Sequence, residues 1–440
     1  MTRVYSADWL LPVEGEPIEE GGLAVDAGRI VEVGPADDLE GERLHYEHAV
    51  IIPGLVNAHT HLEYAAYAGF GDGLSFAPWI SLHIARKRRL DWDGHLAIAR
   101  LGAAECLASG VTTVADSSFA GAAAAACAEL GLRGTVYLEV FGGDPAETRA
   151  QLDEKLERVG DVFTDVLRPG ISPHAPYTVS NEAYADAYET GLPVATHLHE
   201  SSGEREWMTE GRGEFTTNAE LLVPPAGETG IRRLADAGVL RPGLLAAHCV
   251  HVDAEEIALL AENGVSVAHC PRSNALLGCG IAPVAGLLAA GVTVGVGTDS
   301  PASAPSFDLF DELRAAVLCA RAREQRPDAL AAREAIALAT LGGARALGLD
   351  AEVGSLVTGK RADFAVVSLA GSAFLPWEDP AAAVVLGGSA ERVMLTVVQG
   401  EERYRKGGEE WLELLPGLRR SAAAARGQML AEAAPLASKI

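Results

Sequence analysis

The chain has 440 residues, 48% of them hydrophobic and 22% charged, so it is neither disordered nor fibrous and can fill a barrel-sized core. Its 35 Lys and Arg stand against 61 Asp and Glu, a formal charge of −26 that repels phosphate backbones and anionic lipid. Nucleic acid and membrane surfaces are therefore poor partners, and a small-molecule substrate is expected. The opening MTRVYSADWLLPVEGEPIEEGG lacks the apolar stretch of a signal peptide, and no run nears the roughly 20 apolar residues of a membrane span. None of the six cysteines forms a CxxC pair, which points to a reduced, cytoplasmic protein. Length and composition leave a monomer and a homodimer both open.

Residues 1–52 alternate apolar and polar positions in short runs, GGLAVDAGRIVEVG and HYEHAVIIPG, punctuated by Gly28 and Gly34. This is the pattern of a small antiparallel sheet. From 53 to 350 the texture changes to eight compact apolar runs with polar ends, separated by Ala-rich helical windows. The runs are GLVNAHTH (54–61), VTTVADS (111–117), TVYLEVFG (135–142), GISPHAP (170–176), PVATHLHE (193–200), LLAAHCVH (244–251), VSVAHCPRS (265–273) and VTVGVGTDS (292–300). Eightfold strand–helix alternation is the sequence form of an α/β fold of the (β/α)8 TIM-barrel type. A doubly wound open sheet is the alternative, but no GxGxxG follows the first strand. Sheet texture returns over 351–407 in GSLVTGKRADFAVVSL and ERVMLTVVQGEERYRKG. Segments 1–52 and 351–407 are thus expected to build one small β-sandwich domain from both termini, with 408–440 a helical tail.

Of twelve histidines, His59, His61, His174, His197, His199, His248, His251 and His269 fall at or just beyond the C-terminal ends of these runs. A barrel builds its active site at that end. One such histidine is most simply a satisfied core residue; eight at one rim are not, because unpartnered imidazoles are costly to bury. In an extended strand His59 and His61 point to the same side, into the barrel mouth, where two neutral nitrogens suit zinc or iron. A histidine of strand five and Asp299 at the end of strand eight would complete the set, strand eight being the neighbour of strand one in a closed barrel. Spacing alone does not choose between His197 and His199, and Asp299 could equally begin a helix.

The series HTH, HLHE, AHCVH, HCPRSN and GTDS, in this order, resembles the amidohydrolase superfamily, in its aminohydrolase and chlorohydrolase branch. The resemblance covers the chain up to about residue 408. It implies metal ligands at His59, His61, His197 and Asp299, and one divalent ion, zinc or alternatively iron(II). Relatives with two ions bridge them through a carboxylated lysine on strand three or four. Here the only lysines are Lys87, Lys155, Lys360, Lys406 and Lys439, and none ends a barrel run.

The resemblance also implies the chemistry: hydrolytic deamination of a purine-like ring, releasing ammonia, in which the ion activates water. Glu200 would carry its proton to a ring nitrogen, His248 would stabilise charge at the attacked carbon, and Asp299 would relay a proton to the leaving group. His174 matches a position that contacts substrate, and LSFAPW resembles the segment that covers the pocket in nucleoside-type deaminases of the branch, where Phe76 and Trp79 would either stack on a heterocycle or pack the barrel rim. The glutamate that grips ribose hydroxyls in some relatives is not evident in LHIARKRRL. HTHLE and CPRSNALLGCG most resemble members assigned to 6-aminodeoxyfutalosine deamination in menaquinone biosynthesis. Arg272, or one of Arg86, Arg88 and Arg89, would then meet that substrate's carboxylate. Guanine, cytosine or methylthioadenosine/adenosylhomocysteine deamination and chlorohydrolase chemistry are the competing activities, and a metal-stabilised binding protein the competing class.

Overall fold

The computed structural model of the chain describes residues 2–373 and 378–431. Five strands come first: β1 (Arg3–Leu10), β2 (Ile18–Glu19), β3 (Gly21–Asp26), β4 (Arg29–Pro35) and β5 (Glu42–Pro53). Eight more follow: β6 (Leu55–Thr60), β7 (Val111–Ser118), β8 (Arg133–Val140), β9 (Leu167–Pro173), β10 (Val194–Leu198), β11 (Leu244–His248), β12 (Ser266–His269) and β13 (Val294–Val296). These eight pair in chain order, each parallel to the next. Every residue of β6, β7 and β8 is buried, which is why these strands read as continuous apolar runs rather than alternating ones. An isolated parallel bridge between Thr60 and Asp299 joins the last strand to the first and closes the ring.

The chain ends supply a separate mixed sheet. With β14 (Phe364–Ser368), β15 (Val393–Val398) and β16 (Glu401–Arg405) its order is β16-β15-β14-β5-β1-β3-β4, and β2 pairs with β1. The small β domain expected from both termini is thus one continuous hydrogen-bonded sheet, whose own core gathers Tyr5, Leu23, Ile51, Phe364 and Leu395. Strand β5 runs through Gly54 directly into β6, where a Cβ would lie 2.1 Å from the Thr112 hydroxyl oxygen. A buried ion pair fastens the same junction: Arg133 Nε of β8 donates to Asp363 Oδ2 at 2.8 Å.

Helix α1 (Phe76–Lys87) follows β6, and a 3-10 segment, Glu214–Leu221, follows β10. Both lie over the barrel mouth, linked by a hydrogen bond between the Ser81 hydroxyl and the Asn218 side chain. Helix α2 (Trp92–Ala108) takes the helix Glu409–Leu430 on its outer face through Ile98, Leu101, Ala422, Ala425 and Met429. The end of the expected tail, 432–440, lies outside the described residues. Among the described residues no helix is long and apolar enough to cross a membrane.

Candidate active site

Four side chains from three strand ends converge at the mouth. His59 lies on β6 and His61 just past it; their rings are 4.9 Å apart and nearly perpendicular. Asp299 follows β13, its backbone N–H donating to the His59 carbonyl at 2.9 Å and its carbonyl accepting from the His61 N–H at 3.3 Å. Gly297 makes this approach sterically feasible, since a Cβ there would sit 2.7 Å from the His59 nitrogen. Asp299 Oδ1 lies 3.5 Å from His61 Nε2 and 3.8 Å from His59 Nε2. Its other oxygen accepts hydrogen bonds from the hydroxyls of Ser273 and Ser303, both at 2.7 Å.

The fourth group is His197, on β10. The strand ends at Leu198, and His199 has φ of +52°, which takes its ring out of the strand's alternation. His199 instead hydrogen-bonds the His251 carbonyl through Nδ1 at 3.1 Å and accepts from the Ile231 N–H. The fold thus brings His197, and not His199, beside His59 and His61.

The hydrogen-bond pattern of these imidazoles calls for a cation. His61 Nδ1 meets the Ser117 carbonyl at 2.7 Å and His197 Nδ1 meets the His174 carbonyl at 2.8 Å. A carbonyl only accepts, so in each ring the hydrogen is assigned to Nδ1 and Nε2 keeps its lone pair. Those two Nε2 atoms face each other across 3.2 Å, and His59 Nε2 beside them is buried without a partner. Protonation is a poor remedy, because burial and then the neighbouring imidazoles push His59 and His197 below the ordinary histidine value. Three lone pairs and a carboxylate oxygen fit a divalent ion of the zinc type. Burial would raise the Asp299 carboxyl, but His61, His248 and the two hydroxyls outweigh it and hold it low, keeping the donor ionised.

Glu200 and His248 flank this set. Glu200 Oε2 lies 3.6 Å from His248 Nε2, and one donor atom from each of Glu200, His248 and Asp299 lies within 4.8 Å of the others. Burial, followed by the charges of Asp299 and Glu204, pushes the Glu200 carboxyl well above its ordinary value. Burial pushes His248 down to about 4, while Asn274 Oδ1 holds its Nδ1 at 2.9 Å. His248 and Asp299 both sit at positive φ, +75° and +57°, backbone strain of the kind that collects at functional sites.

A cavity of about 290 Å³ opens onto these groups. His174 and Trp79 line it. Phe76 does not; it is buried behind, stacked on Trp79 and packed on Phe215. Arg272 is also absent from the lining, and the expectation that it meets substrate is corrected. Its guanidinium is held by the Glu312 and Asp311 carboxylates and by Ser306. Arg86 lies over the Phe70 ring, and Arg89 hydrogen-bonds the Met429 and Ala431 carbonyls.

Three charged or imidazole lining residues escaped the reading of the sequence. His83 and Lys87 of α1 follow Trp79 at successive intervals of four, so one helix face carries all three into the cavity, a periodicity visible in WISLHIARK. Glu139 on β8 brings a carboxylate oxygen within 4.8 Å of nitrogens of His174 and His197. Its signal in the sequence is a carboxylate inside the apolar run TVYLEV.

Known proteins resemble the chain over most of its length. The model of the amidohydrolase family matches residues 50–403. A 5-methylthioadenosine/S-adenosylhomocysteine deaminase of Moorella thermoacetica is 34% identical over 412 residues, 90% of this chain and 93% of that one. A 5'-deoxyadenosine deaminase of Methanothermobacter thermautotrophicus is 34% identical over 410 residues, 90% and 92% of the two chains. Among solved structures, a zinc-bound adenosine deaminase from Xanthomonas campestris superposes with a TM-score of 0.84 at 28% identity, covering 97% of this chain and 98% of that one.

Proposed function

The chain belongs to the amidohydrolase family and is a hydrolase of carbon–nitrogen bonds other than peptide bonds; from that premise we propose that it removes the exocyclic amine of an adenine-type nucleoside as ammonia. The observation that carries the reading is the pair of imidazole lone pairs 3.2 Å apart beside Asp299 Oδ1, with a buried carboxyl, Glu200, next to them.

His59, His61, His197 and Asp299 would hold one divalent ion, zinc by preference over iron(II), which when bound lowers the pKa of a coordinated water from about 15.7 toward 7. Glu200, a buried carboxyl beside His248, would take a proton from the attacking water and deliver it to the ring nitrogen next to the attacked carbon. His248, fixed by Asn274, would stabilise charge at that carbon, and the ionised Asp299 would take the remaining proton of the added hydroxyl and pass it to the departing amine. Trp79 and His174 form walls for the heterocycle. Within this class the candidates are 5'-methylthioadenosine, S-adenosylhomocysteine, 5'-deoxyadenosine and 6-aminodeoxyfutalosine, the last placing the enzyme in menaquinone biosynthesis. The free cysteines fit a cytoplasmic enzyme.

Ammonia release by the zinc-loaded protein, assayed on these four nucleosides with guanine and cytosine alongside, tests the proposal. Turnover of at least one nucleoside and neither free base is expected; no release from any adenine nucleoside overturns it.

A further inference from the structure

Lys87 ends α1 with its side chain in the cavity wall, where the residue is only 9% exposed. Its ammonium nitrogen lies 3.8 Å from the centre of the Phe119 ring, with Phe141 at 5.5 Å and Tyr64 at 6.0 Å. Among the described residues no carboxylate oxygen comes within 4.0 Å of it and no hydrogen-bond acceptor reaches it. The aromatic faces supply some cation–π attraction. They do not replace the full hydration of an ammonium in open water, and the nitrogen keeps access only to the cavity. Burial accordingly pushes Lys87 down to about 8, with Glu139 and Glu63 opposing and Lys155 adding to the fall.

Lys87 also stands between two spaces. A second cavity of about 320 Å³ adjoins the first, and Lys87, Arg88, Phe119 and Phe141 line both. In the second cavity the carboxylates are already engaged: Asp91 caps α2 through the Gly94 N–H, and Glu154 is paired with Arg158. Gln151 is tied to the Phe141 backbone and Lys155 to the Glu139 carbonyl. His95 Nδ1 faces Glu63 at 3.6 Å. Among the described residues, Lys87 and the exposed Arg88 have no carboxylate within 4.0 Å.

Resting on the deaminase reading above, we infer that Lys87 is the specificity residue for a carboxylate carried by the substrate on the end remote from the amine. The buried Lys87 ammonium balances one negative charge, while Arg88 is exposed and its charge is screened by solvent. A phosphate dianion would leave excess charge among aromatic rings and near Glu139, so a carboxylate fits better than a phosphate. The flat faces of Phe119 and Phe141 suit an apolar or aryl spacer between sugar and carboxylate. This takes over the role that Arg272, locked to Glu312, does not fill.

The test uses 5'-S-(2-carboxyethyl)-5'-thioadenosine and its neutral carboxamide, with adenosine 5'-monophosphate as the phosphate arm, on the metal-loaded wild type, Lys87→Met and Lys87→Arg. Wild type is expected to favour the acid over the amide by about tenfold or more in kcat/KM, the size of one charge-assisted hydrogen bond. The monophosphate should not share that advantage. In Lys87→Met the acid-to-amide ratio should collapse towards one, and Lys87→Arg should recover part of it. Calorimetric affinities for the deaminated acid and amide should show the same contrast without turnover. A wild-type protein indifferent to the acid, or a preference surviving in Lys87→Met, overturns the assignment. Absence of ammonia from every compound overturns the deaminase reading instead, and the calorimetric contrast still decides the carboxylate site. Should Lys87→Met fail to fold, Lys87→Gln, which also removes the charge, is expected to show the same collapse of the ratio, and a preference surviving there overturns the assignment.

Discussion

Asp299 faces the imidazoles with one oxygen because its other oxygen is held by two serine hydroxyls. Replacing Ser273 or Ser303 by Ala removes one hydrogen bond to a charged group, worth about 1.5–3 kcal/mol. Loss of an outer partner of a metal ligand typically costs 10–100-fold in affinity, about 1.4–2.8 kcal/mol, so the two figures agree. Taking a thirtyfold loss, metal supplied at a hundred times the wild-type Kd stabilises the wild type by about 2.7 kcal/mol and either variant by about 0.9 kcal/mol. Competition with a zinc-binding chelator dye reads the affinity directly, and the thermal upshift on adding zinc should shrink by about two thirds. The serine changes leave the imidazoles untouched, so a general loss of folding is recognised by a lower Tm in the metal-free protein. If both variants release zinc at the wild-type chelator concentration, Asp299 is not oriented by these hydroxyls and the proposed ligand set is wrong.

Three further outcomes are expected. Glu200→Gln should keep its metal, measured by elemental analysis, while losing about 10²–10⁴ in kcat; near-normal turnover removes Glu200 from the proton path. Asp363→Asn leaves Arg133 buried opposite a neutral amide and should lower stability by about 3 kcal/mol or more in urea unfolding, a loss under about 1 kcal/mol being incompatible with the buried pair. Glu105 on α2 is pushed up to about 7 by burial against the opposing pull of Arg419, so its folded form holds a proton that the unfolded chain releases near 4.5. Its contribution to stability is therefore full below about pH 4.5 and lost as pH rises toward 7. Glu105→Gln should flatten the Tm profile over that interval, and an unchanged slope refutes the assignment.

The barrel was legible because strands buried on both faces must be written in apolar residues, and their polar ends mark the mouth. His59 and His61 were legible for the same reason: period two places both on one side. His197 against His199 was not, because the answer rests on a single backbone angle after Leu198 that no spacing encodes. Arg272 misled because its partners Ser306, Asp311 and Glu312 lie 34 to 40 residues downstream and meet it only in the fold. Phe76 and Trp79 share one short segment, yet three residues of helix separate a buried ring from a lining one. Lys87 could have been found from the face it shares with Trp79 and His83, but a basic cluster on a helix ordinarily reads as solvated.

The seam between the first and last barrel strands has a consequence for assembly. Asp299 reaches His59 and His61 across the bridge that shuts the ring, so the outermost donors in sequence, His59 and Asp299, are 240 residues apart and adjacent only in the closed structure. A ribosome-bound chain that has not yet released residue 299 owns three of the four donors and no closed ring. On the proposed ligand set the full complement of donors would meet only after the last barrel strand is made, and a bound ion would then clasp a ring that hydrogen bonds alone otherwise close.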